Sequence, residues 1–212
     1  MQRPKSSTVS VDVLTLRYSP AGRSVEVAVT PRTSEPYEGK LSLPGIVLLE
    51  GERLADAADR AAATKLGLEL RAQGQLTVFD EPTRDPRGAT LSVAMWGVAA
   101  DDAADSRAEW FALDDMPALA FDHNTIIAEC RPLLVNHLWR DANFTRALTG
   151  PTFPVSAAVA ITRSLTGTSP DRGNLNRRLA SVKGLAVSHR KVVLGRGRPG
   201  TLWEWQDEHL SA

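Results

Sequence analysis

The chain has 212 residues, 42% of them hydrophobic, with 25 basic and 25 acidic side chains and so a formal net charge of zero. That length and apolar content can supply one ample core or two modest ones. A single Cys130 excludes an internal disulfide, no Cys/His spacing of metal-binding type occurs, and neither a signal-peptide core nor a run of about 18 apolar residues is present, so a cytoplasmic protein with no membrane partner is expected.

The zero charge is a sum of opposites. Met1 to Gly150 carries 16 Lys and Arg against 21 Asp and Glu, a net of −5, whereas Pro151 to Ala212 carries 9 against 4, a net of +5. Such asymmetry points to nucleic-acid or other anion binding by the basic part.

In chain order, "TVSVDVLTLRY" and "RSVEVAVTPR" alternate apolar and polar residues around "SPAG" and predict a β-hairpin. The three-proline connection "PRTSEPYEGKLSLPG" follows. Arg53 to Leu66 then places Leu54, Ala57, Ala58, Ala61, Ala62 and Leu66 at helical spacing, with Gly67 as the C-terminal stop. Next come strands "QLTVFDEP" and "TLSVAMWGVAA" around the polar loop "TRDPRG", a short strand "AEWFAL" and a helix near Asn124 to Arg140. Asp141 to Pro154 has the Gly, Pro and polar content of an irregular junction. Beyond it, "FPVSAAVAITRSLTG" and "SPDRGNLNRRLASVKGL" predict two helices, and "AVSHRKVVLGRGRPGTLWEW" alternates like two strands around a Gly/Arg-rich tip. The expectation is an α+β chain of two domains, 1–142 and 143–212. The second has the element order of a winged helix-turn-helix.

The second of those helices offers Asn174, Asn176, Arg177 and Arg178 as exposed side chains able to contact base edges and phosphates, with Lys183 following it. Arg190, Lys191, Arg196 and Arg198 lie on the hairpin, the other element a winged helix brings to DNA. A double-stranded DNA operator is the expected partner. The alternative is a solvated helix face and an ordinary basic turn.

The segment from Leu43 to Leu68, "LPGIVLLEGERLADAADRAAATKLGL", resembles the Nudix box, G-x5-E-x7-R-E-U-x-E-E-x-G-U with U a bulky apolar residue. Aligned without a gap, Glu52 matches the first glutamate, Arg60 the arginine, and Gly67 and Leu68 the end; Ile46 falls on the first glycine, and Ala61, Thr64 and Lys65 replace the other three glutamates. In that family the helix glutamates hold magnesium for diphosphate hydrolysis, so the resemblance implies a Nudix-like α/β/α sandwich and argues against its usual catalysis, with no catalytic residue and no metal site. The broken box, "FDEPTRDPRG" on the next hairpin and a C-terminal "GRGRPGTLWEW" together resemble the Nudix-related transcriptional regulators of NAD metabolism over nearly the whole chain.

That resemblance implies a repressor of NAD synthesis or salvage genes, released from DNA by ADP-ribose or a related nucleotide, with no cofactor required. It also implies a homodimer reading a palindromic operator. Arg32, Arg84 and Arg87 are candidates to clamp a pyrophosphate, with Arg60 and Glu52 as further candidates. "RDPRG" also reads as a simple turn in which Asp85 pairs with an arginine, Arg60 as a structural ion pair, and His123 as a ligand contact, cap or surface residue. The competing function is an active nucleoside-diphosphate hydrolase built on Glu50, Glu52, Asp56 or Asp59.

Overall fold

A computed structural model describes residues 6–100, 106–188 and 201–206. The predicted hairpin is present as β1 (Thr8–Ser19) and β2 (Ser24–Pro31), followed by β3 (Leu41–Ser42) and β4 (Gly45–Val47). Helix α1 (Leu54–Ala61) runs directly into a π-helical turn, Ala62–Leu66, and Gly67 closes it in the left-handed conformation at φ 72°. Then come β5 (Leu70–Phe79), β6 (Thr90–Ala99), β7 (Glu109–Ala112) and α2 (His123–His137). Strand β5 starts five residues before the predicted Gln75, and its register against β6 shifts twice, which blurs the alternation there.

One seven-stranded sheet has the order β3-β2-β1-β6-β5, with β4 also on β1 and β7 on β2. Its central pair, β1 and β6, is parallel; the other pairings are antiparallel. Both faces of that centre are covered, so period-two alternation places two different cores. Val11, Val13, Val93 and Met95 meet Ala57, Ala58 and Ala61 of α1, whose methyl side chains let the helix lie close to the sheet. Leu14, Leu16, Ala94, Trp96 and Val98 face the other way, toward Ile126, Ile127, Cys130 and Leu134 of α2. Cys130 is fully buried, and burial pushes its thiol up to about 12, so it packs as a small apolar group without nucleophilic character. No helix among the described residues is long and apolar enough to cross a membrane.

The expected irregular junction after α2 is instead a helix, α3 (Ala142–Thr149), followed by β8 (Thr152–Pro154). Asp141 caps it by accepting a hydrogen bond from Phe144 N at 3.2 Å, and Phe144, Ala147 and Leu148 bury one face. Helices α4 (Val155–Thr166) and α5 (Arg172–Ala180) and strands β9 (Leu185–Val187) and β10 (Leu202–Trp205) complete the chain, in a three-stranded sheet of order β8-β10-β9. Helix, strand, helix, helix and hairpin strands is the succession of a winged helix.

This C-terminal part does not stand off from the first. Helix α4 packs on β2, where Val25 N donates to Ser164 Oγ at 2.9 Å. Arg131 of α2 donates to the carbonyls of Leu165 and Ser164 at 2.9 and 2.6 Å, satisfying orphan acceptors at the C-terminal end of α4. Phe144, Phe153, Ile161 and Leu179 belong to the same buried cluster as Leu14 and Trp96.

Candidate nucleotide cleft and basic helix

On the β1 side of the sheet, between the box loop and the 121–123 segment, lies a cleft of about 950 Å3. Asp12 stands at its base, 6% exposed, between Val11 and Val13 on β1. Its carboxylate accepts from Ser92 Oγ at 2.5 Å and pairs with Arg84 Nη2 at 3.4 Å, and its Oδ1 is 3.7 Å from His123 Nε2. A buried charge persists only when paired, and this cluster supplies the pairs.

His123 is buried rather than a surface residue. Its Nδ1 accepts from Leu43 N at 2.9 Å, which assigns the ring proton to Nε2, facing Asp12. Burial lowers its pKa, outweighing the opposite pull of Asp12 and Asp122, so the imidazole is neutral near pH 7. Gly45 explains why the box begins where it does. A Cβ there would lie 2.1 Å from Asp12 Oδ1, so the position that demands glycine is Gly45, one residue before the Ile46 that the gap-free alignment selects.

The predicted clamp residues come together at this cleft, which Arg32, Arg60, Arg84 and Arg87 all line. Each is already engaged. Arg84, only 5% exposed, is held by Asp122 through Nε at 2.9 Å and Nη2 at 2.8 Å. Arg87 pairs with Asp85 at 2.7 Å, and that hydrogen-bonded partner lowers the Asp85 pKa, so the pairing expected of a simple turn and a position at the cleft hold together. Arg32 donates to the carbonyls of Pro36 and Ser34 at 2.6 and 3.1 Å. Its guanidinium lies 4.6 Å from the ring centre of Phe121, with that of Arg87 at 5.6 Å.

Phe121 meets Tyr37 edge-on at 4.9 Å, and both adopt positive φ, 55° and 67°. Such backbone strain costs on the order of 1–3 kcal/mol per residue and collects at ligand sites. Glu52 is not among the lining residues. It grips Arg60 with both oxygens at 2.7 Å and accepts from Leu49 N at 2.9 Å, and Arg60 with Leu49 brings its carboxyl down to about 2. Among the described residues no group of three or more His, Cys, Asp or Glu could hold a metal ion. Glu50, Asp56 and Asp59 are exposed and outside the cleft lining.

Helix α5 presents Asn174, Arg177 and Arg178 at the surface, capped by Asp171 through Asn174 N at 2.8 Å. Asn176 is not exposed as its polarity suggested. Three residues before Leu179, it flanks the buried stripe, and its Oδ1 is buried without a hydrogen bond. Arg177 donates to Asn174 Oδ1, and Arg178 reaches back to Leu138 O at 3.2 Å. Lys183 is exposed in the turn before β9. Arg190, Lys191, Arg196 and Arg198 lie outside the described residues.

No protein-family model matches the chain. Over 111 residues, 49% of this chain, it is 34% identical to an ADP-ribose pyrophosphatase of Methanocaldococcus jannaschii. The match spans 64% of that curated relative's length. The structure superposes on Shewanella oneidensis NrtR complexed with a 27mer DNA at a TM-score of 0.78, covering 93% of each chain at 24% identity. The chain has the NrtR fold. Its first part also matches the NUDIX domain of Shewanella oneidensis NrtR complexed with ADP-ribose, at a TM-score of 0.53 and 27% identity over 61% of this chain and 90% of that one. The Nudix-like sandwich with a C-terminal DNA-binding-type domain, expected from the broken box and the "RDPRG" and "GRP" motifs, is therefore borne out as a fold. Among the cleft-lining residues that sequence alone did not single out as ligand contacts are Asp12, Phe121 and Arg107.

Proposed function

We propose that the protein is a cytoplasmic transcriptional repressor of NAD biosynthesis or salvage genes, whose cleft senses ADP-ribose or a related NAD-derived nucleotide without hydrolysing it. The observation that carries this reading is the joining of an arginine-rich cleft, on a box stripped of its metal acids, to a basic C-terminal helix in one continuous core. Two NrtR structures support it, one with DNA and one with ADP-ribose. The division into 1–142 as sensor and 143–212 as DNA-binding part belongs to the proposal. So does a homodimer on a palindromic operator, since one small winged helix buries too little DNA for strong discrimination. Asn174, Arg177 and Arg178, with Lys183, Arg196 and Arg198, would face the DNA; Arg32, Arg84 and Arg87 would meet the nucleotide, with Arg60 and Glu52 shaping the cleft wall.

Hydrolysis of the bound nucleotide is the second reading, favoured by the 34% identity to an ADP-ribose pyrophosphatase. An operator titration against ADP-ribose, with NAD and AMP for comparison, distinguishes the two when product AMP is followed in parallel. The repressor reading expects operator affinity to change about 5–150-fold, the usual range of allosteric coupling, with no AMP formed. Arg177→Ala should cost about 1–3 kcal/mol of operator affinity. Metal-dependent AMP release that Glu52→Gln abolishes would instead establish the hydrolase.

A further inference from the structure

The magnesium that a Nudix box implies does not fit the residues present. Ala61 is fully buried and carries no oxygen in its side chain. Thr64 Oγ1 donates to Arg60 O at 2.6 Å, Lys65 is a cation, and both oxygens of Glu52 are taken up by Arg60 and Leu49 N. A hard divalent ion requires several oxygen ligands, preferably anionic, and among the described residues no group of three or more such side chains gathers here.

Positive charge stands in that place. Lys65 and Arg107 line the cleft where the π-helical turn ends. Arg107 Nη2 donates to Thr64 O at 2.6 Å, its Nε to Lys65 O at 3.4 Å, and its backbone N to Leu66 O at 2.8 Å. Among the described residues these acceptors are all carbonyls, which fix the guanidinium in position without neutralising it. Among the described residues Lys65 makes no ion pair, and the lining acid Glu109 pairs with neither cation. By contrast Arg60, Arg84 and Arg87 each face a carboxylate, Glu52, Asp122 and Asp85 respectively. A guanidinium offers a planar fork to phosphate oxygens and an ammonium a compact charge, and both are permanent at neutral pH.

We propose that Lys65 and Arg107 form an anion subsite that takes the diphosphate directly, in place of the bridging metal of the box. This rests on the proposed nucleotide-sensing role, and it assigns that role's metal independence to two residues of this chain. Calorimetric titration of the full chain with ADP-ribose, and separately with inorganic pyrophosphate, tests it in excess EDTA and in excess magnesium. Wild-type affinity for each ligand should agree within about twofold between the two buffers, and Lys65→Met should weaken both ligands about tenfold, the effect of one charge-assisted hydrogen bond. Arg107→Met should do the same, while Arg107→Lys, which keeps the charge, should recover part of the loss and so separate charge from helix-end support. Lys65→Glu should bind pyrophosphate poorly in both buffers, since one carboxylate does not rebuild a magnesium site.

A strong magnesium requirement in the wild type, or unchanged pyrophosphate affinity in Lys65→Met, overturns the subsite. ADP-ribose failing to bind while pyrophosphate binds in a Lys65-dependent way overturns the sensing role and leaves the subsite standing.

Discussion

The pair Glu52–Arg60 shows how one residue pattern supports two readings. The sequence placed both in a box and offered a catalytic, a binding and a structural role; the geometry shows a two-pronged pair that ties the box loop to the helix, with Arg60 Nη2 also reaching Val47 O at 3.0 Å. The sign of its pH dependence follows from the shift. The Glu52 carboxyl falls from an ordinary 4.5 to about 2 on folding, so the unfolded chain takes up its proton first as pH drops. The pair's contribution is therefore fully present above about pH 4.5 and is lost as pH falls from there toward 2. Glu52→Gln should flatten that part of an acid-unfolding curve followed by circular dichroism, and leave the curve between pH 6 and 8 with its wild-type slope. Asp12 and His123, the buried centre of the cleft, were less legible. An acid amid valines and a lone histidine are each common on surfaces, and only the parallel pairing of β1 with β6 brings Asp12 to Ser92, 80 positions away.

At the scale of elements, legibility followed local periodicity. The opening hairpin, the box helix with its Gly67 stop and helices α4 and α5 all carry a repeat of two or 3.6 residues that one stretch of chain displays by itself. The π-helical turn does not, because an extra residue per turn leaves the spacing of Ala62 and Leu66 compatible with an α-helix. Helix α3 was hidden by its length: eight residues between Asp141 and Gly150, with polar Asn143, Thr145 and Arg146 interleaved among its apolar residues, resemble a linker in composition. Its cap is the feature that betrays it. Asp141→Ala should remove the hydrogen bond to Phe144 N and cost about 1 kcal/mol, read as a fall of roughly 2–4 °C in the thermal midpoint. An unchanged midpoint would mean that α3 is held by tertiary packing alone.

For the molecule as a whole, the change in charge at Gly150 hides a continuous interior. Ser164 on α4 bonds to β2, 139 positions earlier, and no local pattern announces a contact of that span. Helix α2 occupies the middle of this arrangement. Asp122, just before its first turn, grips Arg84 in the cleft, and Leu138, just after its last, accepts Arg178 from α5. Fifteen residues of helix make a strut about 22 Å long. An incoming phosphate that competes for Arg84 must loosen the strut at one end, while the other end bears on α5, the helix proposed to meet DNA. Trp139 sits at that far end, buried, with its indole N–H on Thr162 Oγ1 at 3.0 Å. ADP-ribose should accordingly change the emission of Trp139, isolated by difference against Trp139→Phe, and Asp122→Asn should abolish the change even where the nucleotide still binds. If the emission responds equally in Asp122→Asn, the strut is idle; if it does not, the protein works as a pushrod, converting competition for one guanidinium into displacement of a helix at the opposite end of the molecule.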